Sequence, residues 1–401
     1  MTPASKGKSL MEYPLAGLKV LDFSRVLAGP FAGRMLSDLG ADVVKVEPPD
    51  GDVTRYWGRE IANITGYFHQ QNAGKKNICI DLRAPDAASL VKQLVAEADI
   101  VIENYRPDVM DRLGVGYADL NAVNEKVIML SISGFGRDGP ESRRAAYAPV
   151  IHAEAGLIAR STQKEGVKLH DMPLSVADTN ASLHGLVGVL SALHMRHRTG
   201  KGQHIDIAMI DATVATDDQI HYDLESANGT GPMPNEIWES AIGPVLLSTD
   251  FRLLFRSLIT TFGIRDPSNP EMELDVKIKV RRKVVGDFLH TLDTIEKFSA
   301  AMKSMNIAWG EVRSPENLRD QLTVKARGSI TDIDDRHGGT RPVTQSPYRF
   351  SAAKSGVRGP AAHRGEHFIE ILKGWLSMTD QEILQLREDK VVIFDREWRH
   401  H

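Results

Sequence analysis

The first half of the chain alternates short, β-branched apolar runs with segments whose apolar residues recur every three or four positions. That alternation predicts βαβ units around a mostly parallel sheet. GLKVLDF at 17–23 reads as the first strand, and 30–39 as a helix with Pro30 in its first turn and Gly40 as its stop. DVVKVE is the second strand, KNICIDL, ADIVIEN and VIMLSIS are further strands, and PDAASLVKQLVAEA is a helix between two of them. Each crossover is expected to be right-handed. Over 179–198, Leu183, Leu186, Val187, Leu190 and Leu193 fall at helical spacing, which predicts a helix with one buried stripe directly after Asp178. TGKGQHIDIAMID then reads as a turn and a strand.

The pattern changes after about Tyr222. NGTGPMPNE is loop-like, and 250–345 mixes amphipathic pieces with many charges, as a smaller second domain would. EHFIEILKGWL and TDQEILQLRED are helical again, with Asp380 as a plausible N-cap.

Composition narrows the function classes. At 401 residues, 42% hydrophobic and 25% charged, the chain is long and apolar enough for more than one buried core. Its 49 basic and 53 acidic residues leave a net charge of −4, so no general attraction to nucleic acid or an anionic membrane is expected. Cys79 is the only cysteine, which excludes an internal disulfide framework and a cysteine-rich zinc site and fits a cytoplasmic location. The longest apolar stretch, 185–193, falls short of the ~20 residues that span a membrane. MTPASKGKSLMEYP lacks the apolar core of a signal peptide.

The loop SRVLAGPFAG places Gly29 and Gly33 between the first strand and helix, and Glu47 ends the next strand. The dinucleotide fingerprint G-x-G-x-x-G is absent, with Arg25 and Pro30 in place of its phosphate-cradling glycines, so NAD is not expected. A helix N-terminus can still hold a phosphate or carboxylate through its free amides. Arg25, Lys75, Lys76, Arg106 and Arg112 recur near strand ends, where loops of an α/β sheet converge. Together they could surround a polyphosphate of CoA size; singly, each could be a solvated surface charge. Asp178 has two compatible readings: an N-cap, or a carboxylate kept ionised at a helix's positive end, as a nucleophile must be. His194, His197 and His204 are spaced like metal ligands, but no Glu or Cys completes a set, so no metal site is expected.

The stretches PLAGLKVLDFSRVLAGPFAGRMLSDLGADVVKVEPPDGD, ENYRPDVMDRLG, SISGFGRDGP, RTGKGQHIDIAMIDA and RPVTQSPYRFS resemble, in order, the motifs of class III CoA-transferases. That family includes formyl-CoA and carnitine-CoA transferases and alpha-methylacyl-CoA racemase. The resemblance implies a large Rossmann-like parallel-sheet domain with a smaller α+β domain, in an interlocked homodimer. The large domain would take 1–222, the small domain and its linkers 223–345, and 346–401 would return to the large domain. The resemblance implies that Asp178, in ADTNAS, is the catalytic carboxylate. CoA contacts would fall on Arg25, Val26, Leu27, Lys75, Asn104, Arg112 and Phe135, and the acyl pocket on Trp57 and Tyr67. Tyr147 stands where the racemase branch resembles this chain but carries a histidine base. A tyrosine, with a pKa near 10, is a poor base at neutral pH, which favours transfer over racemisation. The implied substrates are an acyl-CoA and a carboxylic acid, exchanged through aspartyl anhydride and aspartyl-CoA thioester intermediates without a permanently bound cofactor. The glycine-rich loop of formyl-CoA transferases is not recognisable, and only NGTGP offers comparable flexibility. A racemase or isomerase, and a CoA-binding protein without activity, are the alternatives.

Overall fold

The computed structural model describes residues 12–227 and 235–394; NGTGP and the stretch up to Met11 lie outside them. Residues up to Asp217 and from Arg327 onward form one compact unit, and Asp218–Ala326 form another.

The first unit is built on seven strands: β1 (Lys19–Asp22), β2 (Asp42–Glu47), β3 (Lys76–Ile80), β4 (Ile100–Glu103), β5 (Ile128–Ser133), β6 (Gln203–Ala208) and β7 (Val392–Ile393). Their order is β7-β3-β2-β1-β4-β5-β6. All pairs are parallel except β7, which runs antiparallel to β3. β4 and β5 are buried at every position, which is why they read as nearly unbroken apolar runs. Successive residues serve opposite faces. Leu21, Val44, Val101 and Met129 enter one core, and Val20, Val43, Ile100 and Leu130 the other. The α/β class and the first six strands are those expected from the sequence, most with ends shifted by one or two residues; the edge strand β7 lies outside the expected set, and TGKGQHIDIAMID leaves its strand at Ala208 for a helix from Met209.

Three helices matter for the site: α1 (Ala28–Asp38), α2 (Ala148–Glu154) and α3 (Val176–Thr199). α3 departs from expectation twice. It begins before Asp178, and the expected stripe is largely exposed, with Leu183 at 45%, Val187 at 63% and Leu190 at 43%. The buried face carries Ala177, Ala181, Gly185, Leu186, Val189 and Ala192 instead. A Cβ added at Gly185 would lie 2.9 Å from Leu130, and one at Gly188 3.0 Å from Ile205. Small residues thus let the helix backbone press onto the sheet, and most of the bulky residues face away.

The chain rejoins the first unit at Arg327. The hairpin Ile330–Asp334 and Thr340–Thr344 belongs there because Arg34 donates to Thr344 O at 2.7 Å and Arg341 to Ile64 O at 2.8 Å. In the last helical pair, Asp380–Glu388 is capped by Thr379 rather than Asp380, in a reciprocal capping box with Glu382. The second unit has a three-stranded antiparallel sheet, Glu236–Trp238, Val245–Ser248 and Ala308–Glu311, and helices that share its core of Val245, Leu258, Phe298 and Met302. Among the described residues no helix is long and apolar enough to cross a membrane.

Candidate active site

β1 lies between β2 and β4, so the chain winds away from it in both directions, and the loops after β1 and β4 flank the crevice where such sheets bind ligands. Asn104 ties these loops together: its Oδ1 accepts from Arg25 N and its Nδ2 donates to Arg25 O, both at 2.8 Å. A cavity of about 110 Å³ opens here, with Arg25, Val26, Asn104, Arg106, Tyr147 and Asp178 among its walls. That volume suits the reacting end of a thioester, not a whole CoA.

Val26 holds the turn between β1 and α1 at φ +68°, a left-handed conformation that costs a β-branched residue roughly 1–2 kcal/mol. Its N–H faces both oxygens of Asp52, at 3.3 and 3.2 Å, and Asp52 is paired with Lys45 at 3.1 Å. Burial disfavours both charges, yet Asp52, Asp22 and Glu47 raise the affinity of Lys45 for its proton, while Lys45 and Thr54 hold the Asp52 carboxyl below its ordinary value. The strained turn is thus held by a buried ion pair.

Asp178 is the third residue of α3. It does not cap its own helix; the N-cap is Ser175, whose side chain makes no capping bond. The Asp178 carboxylate instead faces the backbone amides of Ala28, at the start of α1, and Ala148. Burial pushes its carboxyl up to about 6, opposed by the backbone amides of Ala28 and Ala148. Such a group is mostly ionised at neutral pH but more basic than a free aspartate.

The cavity brings together six of the residues singled out from the sequence: Arg25, Val26, Asn104, Arg106, Tyr147 and Asp178. Leu27 lies in the core as the N-cap residue of α1. Phe135 packs against that core, with the guanidinium of Arg144, another cavity residue, 5.0 Å from its ring. Trp57 and Tyr67 meet edge to face at 5.4 Å. Burial, and then the charges of Asp178 and Asp52, push the Tyr67 hydroxyl up to about 12, which puts this pair within electrostatic reach of Asp178.

Three basic residues do not join them. Lys75 is buried, and its Nζ donates to Asp22 at 2.7 Å, Pro30 O at 2.8 Å and Asn72 Oδ1 at 2.9 Å. All three protons are committed, so it braces α1 from inside; burial pushes its ammonium down to about 8. Lys76 pairs with Asp42 and Glu370. Arg112 is exposed at the end of the helix Val109–Arg112 and is not a cavity residue. Sequence position placed these cations near turns, but not the direction of their side chains.

Other residues had no sequence signal. Arg144 enters the cavity from the GRDGPESRR loop. His152 is 1% exposed, its Nδ1 lies 2.8 Å from Asp171 Oδ1, and its Nε2 accepts from Ala177 N at 3.3 Å. Asp171 is nineteen residues away in the chain. Among the described residues no group of three or more His, Cys, Asp or Glu could hold a metal ion. His194 and His197 are exposed, and His204 bonds Ser131 at 2.8 Å.

The sequence model of CoA-transferase family III matches residues 15–368. The chain belongs to CoA-transferase family III. It is a CoA-transferase, and CoA thioesters are the family's substrates. Relatives of this family III chain include the succinate–glutarate CoA-transferase of Agrobacterium fabrum, 31% identical over 90% of this chain and 95% of that one. The succinyl-CoA–D-citramalate CoA-transferase of Chloroflexus aurantiacus is 29% identical, covering 94% and 98%. A CAIB/BAIF family protein from Brucella suis superposes with a TM-score of 0.76 at 28% identity, covering 91% of this chain and 100% of that one.

Proposed function

We propose that the enzyme moves CoA between short dicarboxylic acids, with Asp178 as the covalent nucleophile. The observation that carries the mechanism is the carboxylate of Asp178 in the cavity wall, facing the amides of Ala28 and Ala148. In the first half-reaction Asp178 attacks the donor's thioester carbonyl, giving a mixed anhydride and CoA thiolate. The thiolate attacks the aspartyl carbonyl, which releases the donor acid and leaves an aspartyl-CoA thioester. The acceptor carboxylate attacks that thioester and expels the thiolate, which takes the acyl group from the second anhydride and regenerates the Asp178 carboxylate. No ATP is needed, because each step exchanges one activated acyl for another. The two amides would stabilise the oxyanion on the aspartyl carbonyl.

The dicarboxylate class is supported by relatives named for succinate, glutarate and citramalate, and by Arg25 and Arg106 in the cavity wall, which can hold phosphate or a second carboxylate; Arg144, also there, is already paired with Glu141 and Glu154. Arg25, Val26, Asn104 and Phe135 are assigned to CoA, and Trp57, Tyr67 and Tyr147 to the acyl group. We also infer a homodimer, since Leu183, Val187 and Leu190 leave an apolar face on α3 for a second copy to cover. A screen of acyl-CoA donors against mono- and dicarboxylic acids, read by mass spectrometry of the CoA products, tests the reading. Acceptor-dependent exchange among dicarboxylates is expected, with a hydroxylamine adduct on the peptide containing Asp178. Proton exchange at the α-carbon without an acceptor, or exchange without any adduct, would overturn it.

A further inference from the structure

Two helices at the site meet at their first turns. A helix leaves its first N–H groups without internal partners, and neither Tyr147, the N-cap of α2, nor Ser175, the N-cap of α3, supplies a side-chain acceptor. The amide of Ala148 on α2 faces the Asp178 carboxylate of α3. In return the N–H of Ala177 on α3 donates to Nε2 of His152, one turn along α2, at 3.3 Å. The imidazole is itself held. A carboxylate only accepts, so the 2.8 Å contact between His152 Nδ1 and Asp171 Oδ1 puts the ring proton on Nδ1 and leaves the Nε2 lone pair to Ala177. Orientation and tautomer are both fixed by Asp171, which sits on the exposed segment before α3.

We propose that His152, oriented by Asp171, is a positioning residue for Asp178, anchoring the first turn of α3 during both half-reactions. The proposal rests on Asp178 being the nucleophile. Once Asp178 is acylated, its negative charge is gone and its attraction to the Ala28 and Ala148 amides weakens. The bond from Ala177 to His152 does not depend on that charge. It keeps the adjacent aspartyl carbonyl under the two amides when thiolate or acceptor attacks. A displacement of about 1 Å at a reacting centre costs on the order of 100-fold in rate, so an anchor one residue from the nucleophile acts on kcat.

The test compares His152→Ala, His152→Gln, Asp171→Ala and Asp178→Asn in the full chain, using the donor and acceptor pair with the fastest turnover in the screen. His152→Ala is expected to lower kcat roughly 10- to 100-fold with KM for the acyl-CoA changed by less than about twofold. His152→Gln keeps a side-chain carbonyl to accept from Ala177 and should recover kcat to within about fivefold of wild type. Asp171→Ala frees the ring and should lower kcat less than His152→Ala does, again at constant KM. Wild-type kcat in both alanine variants, a loss confined to KM, or no recovery with glutamine overturns the proposal. If His152→Ala does not fold, Asp171→Ala decides, and a wild-type kcat there overturns it. Activity in Asp178→Asn instead removes the nucleophile reading itself, which separates the two failures.

Discussion

Replacing Asp178 by asparagine should make the protein inactive and, above pH 6, more stable. Folding raises this carboxyl from 3.8 to about 6, chiefly by burial, so the folded chain binds the proton more tightly than the unfolded one. The contribution to stability is fully present below pH 4 and is lost as the pH rises through 6. At about 1.4 kcal/mol per pKa unit the loss is about 3 kcal/mol, and partial solvent contact reduces it to roughly 1.5–3 kcal/mol. Asparagine has no charge to bury and keeps a carbonyl for the Ala28 or Ala148 amide. Urea unfolding of both proteins at matched concentration should therefore give a stability difference that is flat below pH 4, grows in favour of the variant between pH 4 and 6, and is flat again at pH 8. Wild-type kcat should change the opposite way over the same window, falling on the acid side with a midpoint near 6 as the nucleophile is protonated. A pH-independent difference, or a variant less stable than wild type at pH 8, would refute the burial argument. Substantial transferase activity in the variant, with mass spectrometry excluding deamidation to Asp, would refute the nucleophile.

Lys75→Ala leaves Asp22 buried without its ion-pair partner and should cost about 3–5 kcal/mol in urea unfolding, a global loss rather than a selective effect on CoA. Arg25→Ala should weaken CoA binding in calorimetry, and the gap from wild type should narrow between low and high salt because this cation is exposed. Gly185→Ala drives a Cβ to 2.9 Å from Leu130 and should destabilise by about 1–3 kcal/mol in thermal melts, despite the better helix propensity of alanine. Val187→Glu puts a charge on the exposed stripe of α3 and should shift sedimentation equilibrium from dimer toward monomer; an unchanged dimer would place the interface elsewhere.

What the sequence made legible follows from which groups carry a pattern. Strands buried on both faces must be mostly apolar, as IVIE and IMLSIS are apart from Glu103, Ser131 and Ser133, so β4 and β5 could be located from their apolar runs. α3 departed from the usual rule because small residues, Ala177, Ala181, Ser182, Gly185 and Ala192, make most of its packing face, and three of the five apolar residues of the expected stripe, Leu183, Val187 and Leu190, face away from the sheet. Arg25 and Lys75 look alike in sequence, as cations beside turns. One lines the cavity, and the other is drawn inward by Asp22 at the end of β1, a pairing across 53 residues that no local spacing encodes. The reactive geometry is hidden more deeply still. Asp178 could be singled out as a carboxylate near a helix start, but its environment is made by amides of two alanines, and any non-proline residue supplies an amide. Their convergence depends on α1 starting at Ala28, which the turn at Val26 permits, and on α2 and α3 meeting through His152. The proposed nucleophile is thus a property of one residue, whereas the hole that would stabilise its oxyanion is a property of the packing. Mutations that shift these helices without touching Asp178 should therefore act on kcat before they act on binding.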